Sequence, residues 1–167
     1  MEDRRQGIAE LELGTITRTM EIAAPPEIVY EVLSTPGHLV KWWPDGADFT
    51  PQAGEIGTLT FGETSACGHA ETVPMAVVEA DPPQRFAFRW VYDADASAEP
   101  GSSLLVTFDI RPGEAEQSSV VTMTEAGFRE RGWSEASVQA EYEDHVHGWT
   151  TYLPRLTSYA ETLVSAA

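Results

Sequence analysis

Hydrophobic positions near the end of the chain recur every three to four residues. Val138, Tyr142, His145, Val146, Trp149, Leu153, Leu156, Ala160, Leu163 and Val164 fall within an arc of roughly 100° on a helix, the width of a face meant for burial. The pattern predicts one helix from Ser134 to about Val164, a rod of roughly 45 Å. Ser134 is a suitable N-cap, with Trp133 and Val138 placed as a hydrophobic staple. Glu135, Glu141, Glu143 and Asp144 crowd the first third; negative charge is favoured at the very start, where the helix dipole is positive. Pro154 lies inside the helix, opposite the apolar face, so its missing hydrogen bond should bend the rod rather than break it.

Upstream the period shortens to two. Residues 15–23 alternate Ile16, Met20 and Ile22 against threonines and Glu21, a half-buried strand. Pro25–Pro26 opens a helix with Ile28, Val29, Val32 and Leu33 on its buried face. Ser34–Thr35–Pro36–Gly37 stops it, and a further helical turn through Leu39 leads to Trp42–Trp43–Pro44, expected to anchor that turn to the sheet edge. Strands then follow at Ile56–Phe61, Glu71–Ala80, Arg85–Tyr92, Leu104–Ile110 and Val120–Ala126. Asp81–Pro82–Pro83–Gln84 and Pro112–Gly113 mark turns, and hairpin-length connections argue for one antiparallel sheet. The fold expected is α+β: a curved antiparallel sheet wrapped around a long C-terminal helix, with two short helices after the first strand. Residues 1–14 are expected to be an N-terminal extension and residues 15–167 a single domain.

Charge narrows the partners. Ten Lys and Arg against twenty-seven Asp and Glu leave a formal charge of −17, which repels phosphate backbones and anionic lipids and argues against nucleic-acid or membrane-surface binding. The single cysteine, Cys67, excludes an internal disulfide and offers no zinc framework. The first residues lack the apolar core of a signal peptide, and no apolar run is long enough for a membrane span. A cytoplasmic location is expected.

Several motifs in order carry a family resemblance. They are Ala24–Pro25, Pro36–Gly37–His38–Leu39 with Lys41–Trp42–Trp43, and the run Val78 to Phe86 with Phe88–Arg89–Trp90. Thr122 to Phe128 follows, then His147–Gly148–Trp149 with Leu153 and Leu156. Together they resemble the START-like (SRPBCC) superfamily, and within it the family named for the activator of the heat-shock-protein-90 ATPase. The resemblance covers roughly Ile16 to Leu163 and implies a helix-grip fold. Two departures stand out: Glu125–Ala126 where members often carry His-Glu, and Pro154 in the long helix.

In a helix-grip fold the resemblance implies a space between sheet and long helix that can hold a small, mostly apolar molecule. Its candidate lining is Phe61, Met75, Phe86, Phe88, Trp90, Phe108, Met123, Glu125, Tyr142, His145, Trp149 and Leu153; the plainer alternative is that these aromatics fill the core. Glu125 is in phase with Val121 and Met123, so it points inward, facing a ligand or paired with Arg89 or Arg129 in a bridge at the sheet rim. His145 sits at the edge of the helix's apolar face as a pocket polar group or a satisfied core histidine. Cys67 and His69 are placed on a hairpin loop without a recognisable base or oxyanion hole.

No metal site is expected, because His145 and His147 point to opposite sides of a helix, and no cofactor motif is present. The first function expected is therefore binding of a small hydrophobic or aromatic ligand, more in keeping with a binding protein than an enzyme. A chaperone-ATPase modulator or other protein-interaction module is implied by the family name alone; the activator carries a separate chaperone-binding domain for which 167 residues leave no room. A cavity enzyme of cyclase or hydrolase type, using His145, Glu125 or Tyr142 as acid or base, is the third alternative. A homodimer is left open.

Overall fold

A computed structural model describes residues 14–62, 71–90, 103–128 and 134–165. Cys67, His69, Tyr92, Arg129, Trp133 and the N-terminal thirteen residues lie outside the described residues. The elements in chain order are β1 (Thr15–Ile22), α1 (Pro26–Ser34), α2 (Pro36–Leu39), β2 (Gly46–Asp48), β3 (Ile56–Phe61), β4 (Glu71–Asp81), β5 (Arg85–Trp90), β6 (Leu104–Pro112), β7 (Ser119–Ala126) and α3 (Glu135–Ser165).

The seven strands form one sheet in the order β1-β7-β6-β5-β4-β3-β2, and every neighbouring pair is antiparallel. The expected helix-grip architecture is therefore present, with both short helices after the first strand and the long helix last. One element had no sequence signature: β2 is only Gly46–Asp48, too short and too polar to show alternation. Gly57 makes room for it, since a Cβ there would stand 2.2 Å from the Asp48 carbonyl oxygen and 2.5 Å from the Phe49 Cβ.

Period-two burial runs as the sequence dictates. Phe86, Phe88 and Trp90 of β5, Leu104, Val106, Phe108 and Ile110 of β6, and Val121, Met123 and Glu125 of β7 all face inward and are buried. Cross-strand register stacks them, with Phe86 opposite Phe108, Phe88 opposite Val106, Phe108 opposite Met123 and Glu125 opposite both Val106 and Ile16. Burying side chains of this size contributes about 1.5–3 kcal/mol each, which makes the inner face the main source of cohesion.

The helix α3 lays Val138, Tyr142, Trp149, Leu153, Leu156 and Ala160 on that face. Its start is capped as expected: the Ser137 N–H donates to Ser134 Oγ at 3.2 Å, and the Val138 N–H to the Ser134 carbonyl at 2.8 Å. Pro154 is exposed, on the side away from the sheet. The second half of the helix packs on the core and also makes polar ties: Tyr159 Oη lies 2.7 Å from His38 Nδ1 in α2, and Glu161 Oε2 accepts the Ala23 N–H at 2.9 Å. Ser119 Oγ donates to the Ala24 carbonyl at 2.6 Å and fastens β7 to the entry of α1. These ties fix the C-terminal half of α3 against β1, α1 and α2. They leave the N-terminal half over the ends of β3, β5 and β7.

Candidate functional site

Chain direction brings the C-terminal ends of β3, β5 and β7 and the first turns of α3 to one end of the fold. The inward residues there are Phe61, Trp90 and Glu125, faced by Tyr142, His145 and Trp149. Glu125 is wholly buried, at 0% exposure. Its Oε2 accepts the Trp90 indole N–H at 2.8 Å. Its Oε1 accepts the Trp149 indole N–H at 2.8 Å and lies 2.8 Å from His145 Nδ1. An indole N–H can only donate, and two of them converge on the two carboxyl oxygens; the geometry suits an ionised carboxylate that also accepts the His145 Nδ1–H.

Helical spacing explains how one oxygen is reached twice. His145 and Trp149 are four residues apart, so both sit on the same side of α3, one turn above the other. Of the two arginines weighed as partners of Glu125, Arg89 is not one. Arg89 belongs to the opposite phase of β5 from Trp90, so its guanidinium leaves the inner face and its Nη1 donates to Ser103 Oγ at 3.3 Å. Glu125 is instead part of a buried polar cluster in an aromatic wall, and Arg129 lies outside the described residues.

The wall is close-packed. Trp43 stands at its centre, with ring centroids 5.0 Å from Trp90, 5.0 Å from Trp149, 5.6 Å from Phe61 and 5.9 Å from Phe88. The His145 ring lies between Trp90 at 5.4 Å and Phe128 at 5.3 Å, and Phe128 packs edge-on against Tyr142 at 5.5 Å. The edge contacts of Phe128 with Tyr142 and His145 suit the ring quadrupoles. Gly127 sets the turn that brings Phe128 under the helix: its φ is +112°, and a Cβ there would meet the Ser103 carbonyl oxygen at 3.0 Å.

Electrostatics favour a charged His145. Burial by itself lowers its pKa, but the hydrogen bond and charge of Glu125, helped by Glu141 and Asp144, outweigh that and hold it above the usual histidine value. With Nδ1 committed to Glu125, Nε2 is the nitrogen left to act, 3.6 Å from Glu141 Oε2. When the ring is neutral, Nε2 carries a lone pair that can accept a proton, a hydrogen bond or a metal ion.

The predicted lining residues thus separate into groups. Phe61, Phe88, Trp90, Glu125, Tyr142, His145 and Trp149 meet at this end. Phe108 bridges it to the middle of the core, touching Trp149 at 6.3 Å and Trp42 at 6.5 Å. Phe86 belongs elsewhere, packed on Tyr30 and Phe49 under α1 at 6.1 and 6.2 Å. Met75, Met123 and Leu153 are buried on the inner face and the helix. Trp43 and Phe128 were missed as site residues, although the motifs containing both were visible in the sequence. On the sheet's other face a groove of about 380 Å³ is lined by Glu79, Asp81, Gln84, Arg85, Asp109 and neighbours. Its half-exposed Arg85 is spoken for, with Nε 2.6 Å from Asp109 and Nη1 3.6 Å from Glu79.

Comparison with known proteins agrees with this architecture. The family model described as Activator of Hsp90 ATPase homolog 1-like protein matches residues 23–161. A protein from Nitrosomonas europaea superposes with a TM-score of 0.71 at 15% identity, covering 90% of this chain and 96% of that chain. One from Mesorhizobium loti gives 0.68 at 19% identity, covering 89% and 97%. The Aha1 dimer from Colwellia psychrerythraea, solved in solution, gives 0.65 at 19% identity, covering 88% and 96%. At such identities the likeness speaks for the fold alone. No curated protein sequence matches. Family motifs, the family-model match across most of the chain and the helix-grip topology lead to one conclusion: this chain belongs to the family of Activator of Hsp90 ATPase homolog 1-like proteins.

Proposed function

We propose that the protein is a START-like binding domain for a small hydrophobic or aromatic molecule, taken up between the sheet and the N-terminal half of α3. The observation that carries this is Glu125, a wholly buried carboxylate held by two indoles and an imidazole. A charge inside an apolar core costs several kcal/mol of desolvation, and an apolar side chain of similar size would pack there without that cost. Buried polar groups that converge in an otherwise apolar wall are what a small-molecule site uses to fix orientation. The surrounding aromatics supply an apolar surface, and the cluster supplies the few polar groups that orient a ligand. Trp43, Trp90, Trp149 and Phe61 would contact the apolar body, and His145 Nε2 would meet a polar substituent.

Native mass spectrometry of the protein as purified, followed by a thermal-shift screen of fatty acids and aromatic metabolites, tests this reading. Co-purified mass, or a stabilising hit that Trp90→Ala abolishes, is the expected result. A protein that carries nothing and is stabilised by no apolar compound would end it.

A further inference from the structure

His145 Nε2 faces two carboxylates that the ligand-binding reading does not use. Glu141 is one turn before His145 on α3 and Asp144 is its neighbour. One ligand atom from each of the three lies within 4.8 Å of the others. Glu141 is half-buried and Asp144 exposed, so both side chains can turn toward a common point. In a tetrahedral shell with bonds near 2.1 Å, ligand atoms stand about 3.4 Å apart, so the two carboxylates must turn inward by up to about 1.4 Å from the 4.8 Å bound. The histidine itself is the second observation. Its side chain is only 9% exposed, and Nδ1 is pinned by Glu125 at 2.8 Å. Among the described residues Nε2 makes no hydrogen bond, its nearest acidic oxygen lying 3.6 Å away. A histidine bound to a metal through one nitrogen characteristically donates the other N–H to a carboxylate, which fixes its tautomer and ring plane. Glu125 already does that here.

We infer that His145 Nε2, Glu141 and Asp144 form a binding site for a divalent transition ion of the Zn²⁺ class, with Glu125 as the positioning residue behind His145. Two carboxylates balance the charge of the ion. The imidazole nitrogen selects it over Mg²⁺ and Ca²⁺, which prefer all-oxygen shells. Three protein ligands leave at least one position open to water. Sequence spacing hid the site, because attention to the His145–His147 pair looked for a second histidine, whereas the partners are carboxylates at helical neighbours. The inference goes beyond the apolar-ligand reading but shares His145 Nε2 with it: a bound ion would take that nitrogen in place of the ligand's polar substituent, and ion binding and apolar-ligand binding are measured separately.

The test is titration of the full chain, stripped with chelator, with Zn²⁺ alone by calorimetry and with Co²⁺ by visible absorption. The wild type should bind a single equivalent and develop a cobalt ligand-field band. Glu141→Gln with Asp144→Asn should weaken binding at least about tenfold and lose the band. Glu114→Gln with Glu116→Gln removes the same charge from an exposed turn and should change neither. The ¹⁵N signal of His145 Nε2 should shift on binding, while the Nδ1–H bond to Glu125 persists. Absence of stoichiometric binding overturns the inference. So does equal weakening by both double variants, which would mean diffuse attraction to an acidic surface. Full retention by Glu141→Gln/Asp144→Asn would also overturn it, because the ion would then sit elsewhere.

Discussion

Glu125→Gln replaces one carboxylate oxygen by an NH₂ group and tests whether the buried carboxylate organises the end of the fold. In the wild type both oxygens accept: Oε1 from Trp149 and His145, and Oε2 from Trp90, all at 2.8 Å. A glutamine oxygen at the Oε1 position keeps two of these bonds, now without charge. Its NH₂ then faces the Trp90 indole N–H, donor against donor, at a wholly buried position. One unsatisfied buried donor costs about 1–3 kcal/mol, and losing charge assistance in two bonds takes about 1 kcal/mol from each. The amide is cheaper to bury than the carboxylate, which offsets part of this and leaves a net loss of about 2–4 kcal/mol. In a chain of this length each kcal/mol lowers Tm by about 2–4 °C, so the drop should be roughly 5–15 °C. The His145 pKa should also fall, because its largest stabilising partners are the hydrogen bond and charge of Glu125. Chemical denaturation gives the first quantity, and NMR titration of the imidazole ¹³C–¹H signals gives the second. A variant as stable as the wild type, with His145 titrating unchanged, would refute the arrangement.

Other consequences follow from the same contacts. Because the folded-state pKa of His145 is raised above 6.5, the stability it contributes is fully present below that value and is lost as pH rises through the raised pKa. Denaturation midpoints measured with chelator present should therefore decline over that window in the wild type and much less in His145→Gln. Trp149→Phe keeps most of the ring packing but removes one charge-assisted bond to Glu125, and should cost about 2–3 kcal/mol by chemical denaturation. Gly57→Ala drives a Cβ into the backbone of Asp48 and the side chain of Phe49. It should lower stability by about 1–3 kcal/mol, with amide exchange at residues 46–48 speeding up before the rest of the sheet.

Much of this architecture was legible in the residues themselves. Alternation in β5, β6 and β7 has one apolar face to bury, so the register and inward set follow with little freedom. The same phase rule placed Glu125 inward, and it should also have excluded Arg89 as its partner, since adjacent strand residues face opposite sides. Its true partners come from elements 20 to 35 residues away, and which of them meet depends on how α3 crosses the sheet. That crossing is set by His38–Tyr159 and Ala23–Glu161, contacts between residues far apart in sequence. Trp43 was read locally as an anchor for α2; only the closed fold shows it lying between Trp90 and Trp149. Glu141 and Asp144 were read only as acids in the first third of the helix, and their effect on the charge of His145 shows once the fold is closed.

The central claim is that the end of the fold around Glu125 receives an apolar ligand, and the chain's indole N–H groups report on it directly. In ¹H–¹⁵N spectra recorded while small aromatic and fatty-acid ligands are titrated, the Trp90 and Trp149 indole signals, both bonded to Glu125, should move together with that of Trp43. The Trp42 indole, whose N–H points to the Val32 carbonyl at 3.4 Å, should stay in place. Indole signals that remain still with every ligand, or shifts confined to Trp42, would contradict the account.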